Sequence, residues 1–434
     1  MEKIVEKIDN KSLRVGIIGL GYVGIPLASE FLTNGFNVLG VDIDQEKINS
    51  LNNGQSYINH ISSDFLKEHL NISFKVTSDL SLIRSVDVII LCLPTPLDEK
   101  NNPNMDYVFG TIESISPYLV KNQTLVLEST TYPGTTSEDI YPILKNLGFK
   151  VGEDFFLVYS PEREDPGNKD FKTNEIPKIV SGHTPQCLEL GKLIYGNIVN
   201  RVVEVSSTQT AELTKLLENI HRAVNIGLVN EMKVISDGLG VDIYEVIDAA
   251  ATKPFGFTPY YPGPGIGGHC IPIDPFYLTW KAKQKGIDTQ FIELAGSINN
   301  QMPVRVVNEA LRLLKSNNIN EKESKILILG LAYKKDVDDM RESPSIRIMK
   351  ELEERVKEVN YSDPFIPKMP KTRKYNRIKD SIELSKENLQ SHDLVIIATD
   401  HSQFDYSLIK EFSSIVLDTR GVYRSLDSKN IFRA

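Results

Sequence analysis

The chain has 434 residues, 41% of them hydrophobic and 25% charged. Those are the proportions of a soluble globular protein, and the length points to two or three domains rather than one. A net charge of −9 argues against nucleic acid as the main partner, although a local anion site stays open. Three cysteines, Cys92, Cys187 and Cys270, show no metal-ligand spacing, so no metal and no disulfide framework are expected, and a reducing compartment is. Met1–Lys11 is charged and lacks an apolar signal core, and no apolar run approaches membrane-spanning length; no membrane partner is expected, and a cytoplasmic location is.

Arg14–Ile18 reads as an apolar strand running into Gly19-Leu20-Gly21-Tyr22-Val23-Gly24. A helical pattern follows through Ile25, Leu27, Ala28, Phe31 and Leu32, then a strand, Val38–Val41, that ends on Asp42. Strand, tight glycine turn, helix, strand and acid is the setting that turns a glycine triplet into a dinucleotide fingerprint. Gly19 permits the turn, Gly21 lets a pyrophosphate approach the backbone beside Tyr22 and Val23, and Gly24 lets helix and strand pack closely. The start of the helix offers unpaired N–H groups to the phosphates. Asp42 is expected to accept hydrogen bonds from the adenosine ribose diol and to repel a 2′-phosphate, which favours NAD over NADP; Lys47 would sit near the adenine or phosphate side.

The α/β rhythm continues. Strands at Val86–Leu91, Thr124–Leu127 and Phe155–Tyr159 open into polar loops, and ligands of open α/β sheets lie beyond such strand ends. Thr95 and Thr130 are thus candidates for the nicotinamide side, and Glu162 and Arg163 for substrate or for positioning a loop. Ile176–Ser181 and Arg201–Val205 read as the last strands of this region.

From Thr208 to Ile235 the pattern is helical, with one apolar face of Leu213, Leu216, Leu217, Ile220, Val224 and Leu228. Lys215, Asn219 and Arg222, spaced four and three apart, form one polar stripe. Val241–Ala251, Phe276–Lys285 and Gln290–Leu314 are further helices, the last with a possible break near Pro303. Among them lies Gly263-Pro264-Gly265-Ile266-Gly267-Gly268-His269-Cys270-Ile271-Pro272-Ile273-Asp274, whose glycines and prolines exclude regular structure and shape a loop that delivers Cys270 to a fixed point.

Lys325–Leu329 is a fresh strand, and Ser343-Pro344 suits a helix start. Strands at Arg355–Tyr361, Leu394–Ala398 and Ile415–Leu417 complete a second nucleotide-fold-like unit that lacks a glycine triplet; Lys334 and Arg341 are its anion-binding candidates. The expected architecture is therefore α/β: two Rossmann-like domains, 1–205 and 319–434, joined by a central all-helical domain, 206–318, that contains a long helix and a subunit interface.

An NAD site combined with a presented cysteine suggests more than alcohol oxidation. Thiolate attack on an aldehyde gives a thiohemiacetal, which yields a second hydride and leaves a thioester for water to cleave. Lys215 suits a developing alkoxide, helped by the Asn219 amide. Asp274 suits activation of water, and Thr130 suits holding that water or the substrate hydroxyl.

Together these stretches resemble the nucleotide-sugar 6-dehydrogenase family, which includes UDP-glucose dehydrogenase. The likeness runs from Gly19–Gly24 through Pro94-Thr95-Pro96, Glu128-Ser129-Thr130, Ser160-Pro161-Glu162 and Lys215 with Asn219 to the cysteine loop, and on to Lys334 and Arg341-Glu342-Ser343. It implies reduction of two NAD per UDP-sugar, with the C6 alcohol becoming a carboxylate through a thioester on Cys270. By the same resemblance Lys215, Asn219, Asp274 and Thr130 are catalytic, and Arg341 joins the cofactor set. Glu162, Arg163, Arg222, Tyr261, Gly263, Gly267 and Lys334 meet the substrate with Lys215 and Asn219, and the C-terminal domain holds the UDP. The resemblance also implies a homodimer or higher homo-oligomer through the central helices, with a basic residue, Lys253, reaching in from the neighbour.

Two departures refine the expectation. Ser160-Pro161-Glu162-Arg163-Glu164-Asp165-Pro166-Gly167 replaces a longer motif of the UDP-glucose enzymes, and Ile273 stands where lysine is common among them. With Tyr261–Gly265 and Pro275–Trp280, these features resemble the N-acetylhexosamine branch, and UDP-N-acetylglucosamine 6-dehydrogenases of bacterial surface-polysaccharide synthesis in particular. UDP-N-acetylmannosamine, UDP-N-acetylgalactosamine and UDP-glucose are the alternatives.

Overall fold

Short apolar runs bounded by glycine or polar turns become parallel strands covered on both faces, which is why they are apolar throughout rather than alternating. The computed structural model describes residues 1–58, 61–163, 173–268, 271–370, 375–424, 426 and 428–433. The chain gathers into two units, Met1–Glu218 with Phe276–Ile287, and Asn219–Pro275 with Asp288–Ala434.

The first unit holds β1 (Arg14–Ile18), β2 (Asn37–Val41), β3 (Phe74–Thr77), β4 (Val88–Leu91), β5 (Thr124–Leu127), β6 (Phe156–Tyr159), β7 (Lys178–Gly182) and β8 (Val202–Glu204). They form one sheet in the order β3-β2-β1-β4-β5-β6-β7-β8, parallel except where β7 runs against β6. Ile18 pairs with Val41 on one side and Leu91 on the other, so Gly19, Asp42 and Cys92 emerge at one level. The reversal to β1-β4 beside β1-β2 is the switch point at which such sheets bind ligands.

The charged start of the chain is a helix, Glu2–Asp9, which the sequence reading passed over. It buries Ile4 and Ile8, and Lys7 pairs with Asp87. Asp87 also accepts the N–H of Arg14, and β4 begins just after it, two residues later than the apolar run alone suggested.

The second unit holds β9 (Lys325–Leu329), β10 (Glu358–Ser362), a short antiparallel pair β11 (Lys368–Met369) and β12 (Lys379–Asp380), then β13 (Leu394–Ile397), β14 (Val416–Asp418) and β15 (Ile431–Arg433). Its main sheet runs β10-β9-β13-β14-β15, parallel throughout. The helix Gln290–Ser316 continues through Pro303 without a break. Pro303 cannot donate the hydrogen bond of that turn, but its ring is buried and lies against Gly265.

The architecture is that of two Rossmann-like sheets separated in the chain by helices, of which Thr208–Leu239 is 32 residues long. Its apolar face differs from the expected one. Leu216 and Ile220 are buried, but Leu213, Leu217 and Leu228 are 43%, 63% and 55% exposed. The leucines span a wider arc of the helix than this chain itself covers.

Helix Gly24–Thr33 meets β1 at closest approach through Gly24, where a Cβ would lie 1.9 Å from the carbonyl oxygen of Gly19. Gly24→Ala is expected to force the turn open, to cost about 1–3 kcal/mol of stability and to abolish NAD binding. Urea melts and an NAD titration check this; wild-type affinity in the variant would contradict it.

Candidate active site

In the first unit, Gly19 adopts φ +96, and a Cβ there would meet the carbonyl oxygen of Cys92 at 2.2 Å. Gly21 differs: nothing lies within 4 Å of the place its Cβ would occupy. The turn is thus closed behind Gly19 and Gly24 and open at Gly21, the shape a pyrophosphate requires. Tyr22 and Val23 are half-buried beside it, and no side chain caps the helix that follows. Asp42, at the end of β2, accepts the N–H of Leu20 at 2.8 Å and of Asp44 at 2.9 Å. Lys47 lies 3.4 Å from the same carboxylate, so its first partner is Asp42 itself. The glycines, Asp42 and the open turn fit a dinucleotide.

The loops beyond β4, β5 and β6 are fastened to one another. Ser129 Oγ accepts the N–H of Leu93 at 2.9 Å, tying the Thr130 loop to that of Thr95. Thr95 is buried and Thr130 half-buried. Arg163 is held by Glu218 at 2.6 Å and by the carbonyl of Pro177 at 2.6 Å, so of its two expected roles the structure supports loop positioning. The rest of that motif, 164–167, lies outside the described residues.

Beneath these loops is a cluster that sequence reading missed. Glu128, fully buried at the end of β5, receives the Lys178 ammonium at 2.6 Å and the Tyr195 hydroxyl at 2.5 Å. Lys178 also lies 3.6 Å from Glu162. Only the oddity of a lysine opening an apolar strand hinted at it.

Glu212, one turn before Lys215 on the long helix, was missed too. Its carboxylate accepts the N–H of Gly134 at 2.6 Å, the N–H of Thr136 at 2.9 Å and the hydroxyl of Thr136 at 2.7 Å. It thereby fixes the end of the loop that begins at Thr130. Lys215 is only 7% exposed and makes no ion pair among the described residues.

In the second unit, the Asn219 amide donates to Asp274 at 2.5 Å, and both side chains are buried. Asp274 opens the helix Asp274–Gln284, two residues earlier than expected, where the helix dipole favours a carboxylate. Arg222, further along the long helix, is exposed, so the buried polar stripe does not extend to it.

The glycine loop is anchored at both ends. The Gly263 N–H donates to Asn230 at 3.0 Å, and Asn230 in turn donates to Asn299 at 2.9 Å. The Gly268 N–H donates to the carbonyl of Arg341 at 3.0 Å. A Cβ on Gly267 would lie 2.6 Å from the Tyr333 Cβ, and one on Gly263 would lie 2.9 Å from the Arg420 guanidinium. Arg420, at the end of β14, was also absent from the sequence reading. His269 and Cys270 lie outside the described residues.

Lys334 is half-buried and Arg341 exposed, its guanidinium bound to Asp339 at 2.6 Å. Tyr261 donates to Asp248 at 2.6 Å. Exposed Lys253 sits 5.0 Å from the Phe255 ring. Among the described residues no group of acidic, histidine and cysteine side chains could hold a metal ion, and no helix is long and apolar enough to cross a membrane.

A cradle of this shape at a sheet switch point, with a buried lysine further along the chain, defines a dinucleotide-dependent oxidoreductase. The chain belongs to the UDP-glucose/GDP-mannose dehydrogenase family: its NAD binding domain matches residues 13–199, its central domain 209–301 and its UDP binding domain 327–425. It is 35% identical to the UDP-N-acetyl-D-glucosamine 6-dehydrogenase of Pseudomonas aeruginosa, over 91% of this chain and 92% of that one. The solved structure of UDP-D-ManNAc dehydrogenase from Pyrococcus horikoshii superposes with a TM-score of 0.87 at 32% identity, covering 97% of this chain and 98% of that one. For the UDP-N-acetyl-mannosamine dehydrogenase Cap5O of Staphylococcus aureus the TM-score is 0.82 at 32% identity, with 97% of each chain covered. The protein is thus an NAD-dependent oxidoreductase acting on nucleotide sugars.

Burial outweighs the hydrogen bonds that Glu212 accepts and pushes its carboxyl up to about 7. An acid raised in the folded state contributes stability below its unfolded value, near 4.3. That contribution is lost as the pH climbs through about 7. Measured against Glu212→Gln, the wild type should therefore lose roughly 4 kcal/mol between about pH 4.3 and 7 and then level off. Denaturation at a series of pH values tests this, and a flat difference would refute it.

Proposed function

We propose that the protein oxidises the C6 alcohol of a UDP-N-acetylhexosamine to the uronic acid in two hydride transfers, with Cys270 as the nucleophile, for cytoplasmic supply of surface-polysaccharide precursors. The observation that carries this reading is Lys215, a buried ammonium with no ion pair among the described residues. A buried unpaired charge costs several kcal/mol unless something meets it, and an alkoxide forming at C6 would do so. When bound along Gly19–Gly24 and Asp42, NAD supplies the hydride acceptor, with Thr95, Thr130 and Arg341 as further candidate contacts.

The residues then divide the work. Lys215 stabilises the oxygen as the C6 alcohol loses its proton and hydride to become an aldehyde. The Cys270 thiolate adds to the aldehyde carbon, and loss of the second hydride leaves a thioester on sulfur. Asn219 holds Asp274 through the 2.5 Å contact, and Asp274 takes a proton from the water that cleaves the thioester. Thr130 holds that water or the substrate hydroxyl. Glu162, Tyr261, Gly263, Gly267 and Lys334 are the substrate contacts we assign within this chain, with Lys334 at the UDP.

N-acetylmannosamine is our first choice of sugar, supported by the names of the Pyrococcus horikoshii and Staphylococcus aureus enzymes. It displaces the N-acetylglucosamine reading of the sequence to second place, where the Pseudomonas aeruginosa relative keeps it. A panel of UDP-hexosamines and UDP-glucose, read by NADH yield and product mass, tests the assignment. Two NADH per acid formed are expected, and Cys270→Ser should bind NAD normally while forming no acid; full acid turnover by that variant would sink the thioester route.

We also assign a homodimer across the long helix, with Lys253 reaching the neighbour's substrate. Support comes from the exposed row Leu217, Leu228, Ile235 and Leu239, which are 63%, 55%, 47% and 73% exposed, an arrangement that monomeric proteins avoid. Leu217→Glu combined with Ile235→Glu should halve the mass seen in sedimentation velocity. An unchanged mass would place the interface elsewhere.

A further inference from the structure

Lys178 takes no part in any step assigned above, yet it is buried at the level of the loops that carry those steps. It opens β7, the strand that runs against β6, and its ammonium reaches the ends of two neighbouring strands at once. Glu128 at the end of β5 is 2.6 Å away, and Glu162 beyond β6 is 3.6 Å away. Tyr195 completes the group from the helix Pro185–Gly196, donating to the other oxygen of Glu128 at 2.5 Å while its ring lies 5.3 Å from the ammonium. Cys92, just beyond β4, also interacts with Lys178. Glu128 is wholly buried, whereas the Glu162 side chain is 17% exposed. One cation therefore faces two carboxylates, one sealed in the sheet and one on the open side.

We propose that Lys178 is a positioning residue: by sharing its ammonium between Glu128 and Glu162, it holds the Glu162 carboxylate in place and charged on the substrate side of β6. This rests on the reading that Glu162 meets the substrate. The physical argument is one of charge balance. Two carboxylates within 3.6 Å of one nitrogen repel each other strongly in a buried setting, and without the cation one of them must keep its proton. Burial already raises Glu128, with Glu162 adding to the effect against the pull of Lys178. Burial alone would lower Lys178, but Glu128 and Glu162 hold it raised, so it stays charged. The shared ammonium thus ties Glu162 to the cluster, while the electrostatic imbalance falls on the sealed Glu128.

The experiment compares Lys178→Met, Lys178→Arg and wild type by the pH profile of kcat for NADH formation from the UDP-hexosamine. Lys178→Met should move the acid limb upward by about one pH unit or more, with a roughly tenfold loss of kcat on that limb. NAD affinity should be unchanged, and Lys178→Arg should restore the wild-type limb. If Lys178→Met does not fold, Lys178→Met/Glu128→Gln lacks the orphaned buried charge and carries the same comparison against Glu128→Gln. A carboxyl 13C NMR titration of Glu162, assigned with Glu162→Gln, reads the displacement without substrate. An acid limb and a Glu162 titration that both stay in place in a folded Lys178 variant would overturn the inference. Wild type that makes no NADH from any UDP-hexosamine would instead overturn the proposed function, and the NMR titration would still decide this point.

Discussion

Many of the groups that matter in this protein sit on loops, and loop backbone has no ladder to satisfy its N–H groups. The recurrent solution is a buried carboxylate that accepts several of them together. Asp42 grips Leu20 and Asp44, and Glu212 grips Gly134 and Thr136. Asp363 takes Leu331, Ala332, Phe365 and Ile366. Charge-assisted bonds of this kind are stronger than neutral ones, and one side chain with two oxygens fixes the direction of a turn as well as its position. Remove the carboxylate and several donors lose their acceptor together. This explains why loops so rich in glycine and proline can present side chains in a fixed geometry.

The two Rossmann-like sheets use this device in parallel ways. In each, the first strand ends in a glycine with positive φ, Gly19 at +96 and Gly330 at +86. In each, the aspartate ending the neighbouring strand accepts the next N–H, from Leu20 to Asp42 and from Leu331 to Asp363. They differ in what remains. Asp363 also receives the His401 Nε2 at 3.1 Å, and the N–H of Asp336 donates to Nδ1, which places the ring hydrogen on Nε2. Four backbone donors and an imidazole occupy Asp363 fully, so it cannot serve a ribose as an acid in its position otherwise would. The second sheet keeps the frame of a dinucleotide fold without its acceptor.

Much of the fold was legible because apolar runs and glycine turns report local geometry. β1, β5 and β9 fall where the sequence placed them, and the roles read for Gly19, Gly21 and Gly24 match the space around each. What stayed hidden depends on contacts far apart in sequence. The helix Glu2–Asp9 was passed over because its composition is mostly charged and only Ile4 and Ile8 are buried. Lys178 and Glu128 are 50 residues apart, and no periodicity links them. Nothing local singles out Arg420, which only the fold brings beside Gly263. The leucines of the long helix were legible as apolar but not as exposed, since a single sequence does not say how much of a helix its own chain covers.

Charge matching gives the final constraint on function. Among the described residues, the two buried lysines other than Lys215 have visible counter-ions: Lys178 has Glu128 and Lys233 has Asp237. Such pairing is what burial demands, because a desolvated charge is tolerated only when something repays its lost hydration. Lys215 departs from the pattern while being just as buried. A cation kept out of water without a permanent partner attracts most strongly a negative charge that arrives later. If that charge is present in the transition state and absent from the resting alcohol, the attraction lowers the barrier instead of tightening ground-state binding. The pairing of the other two buried lysines makes this imbalance informative, and it favours oxidation at an alcohol carbon over mere retention of a nucleotide.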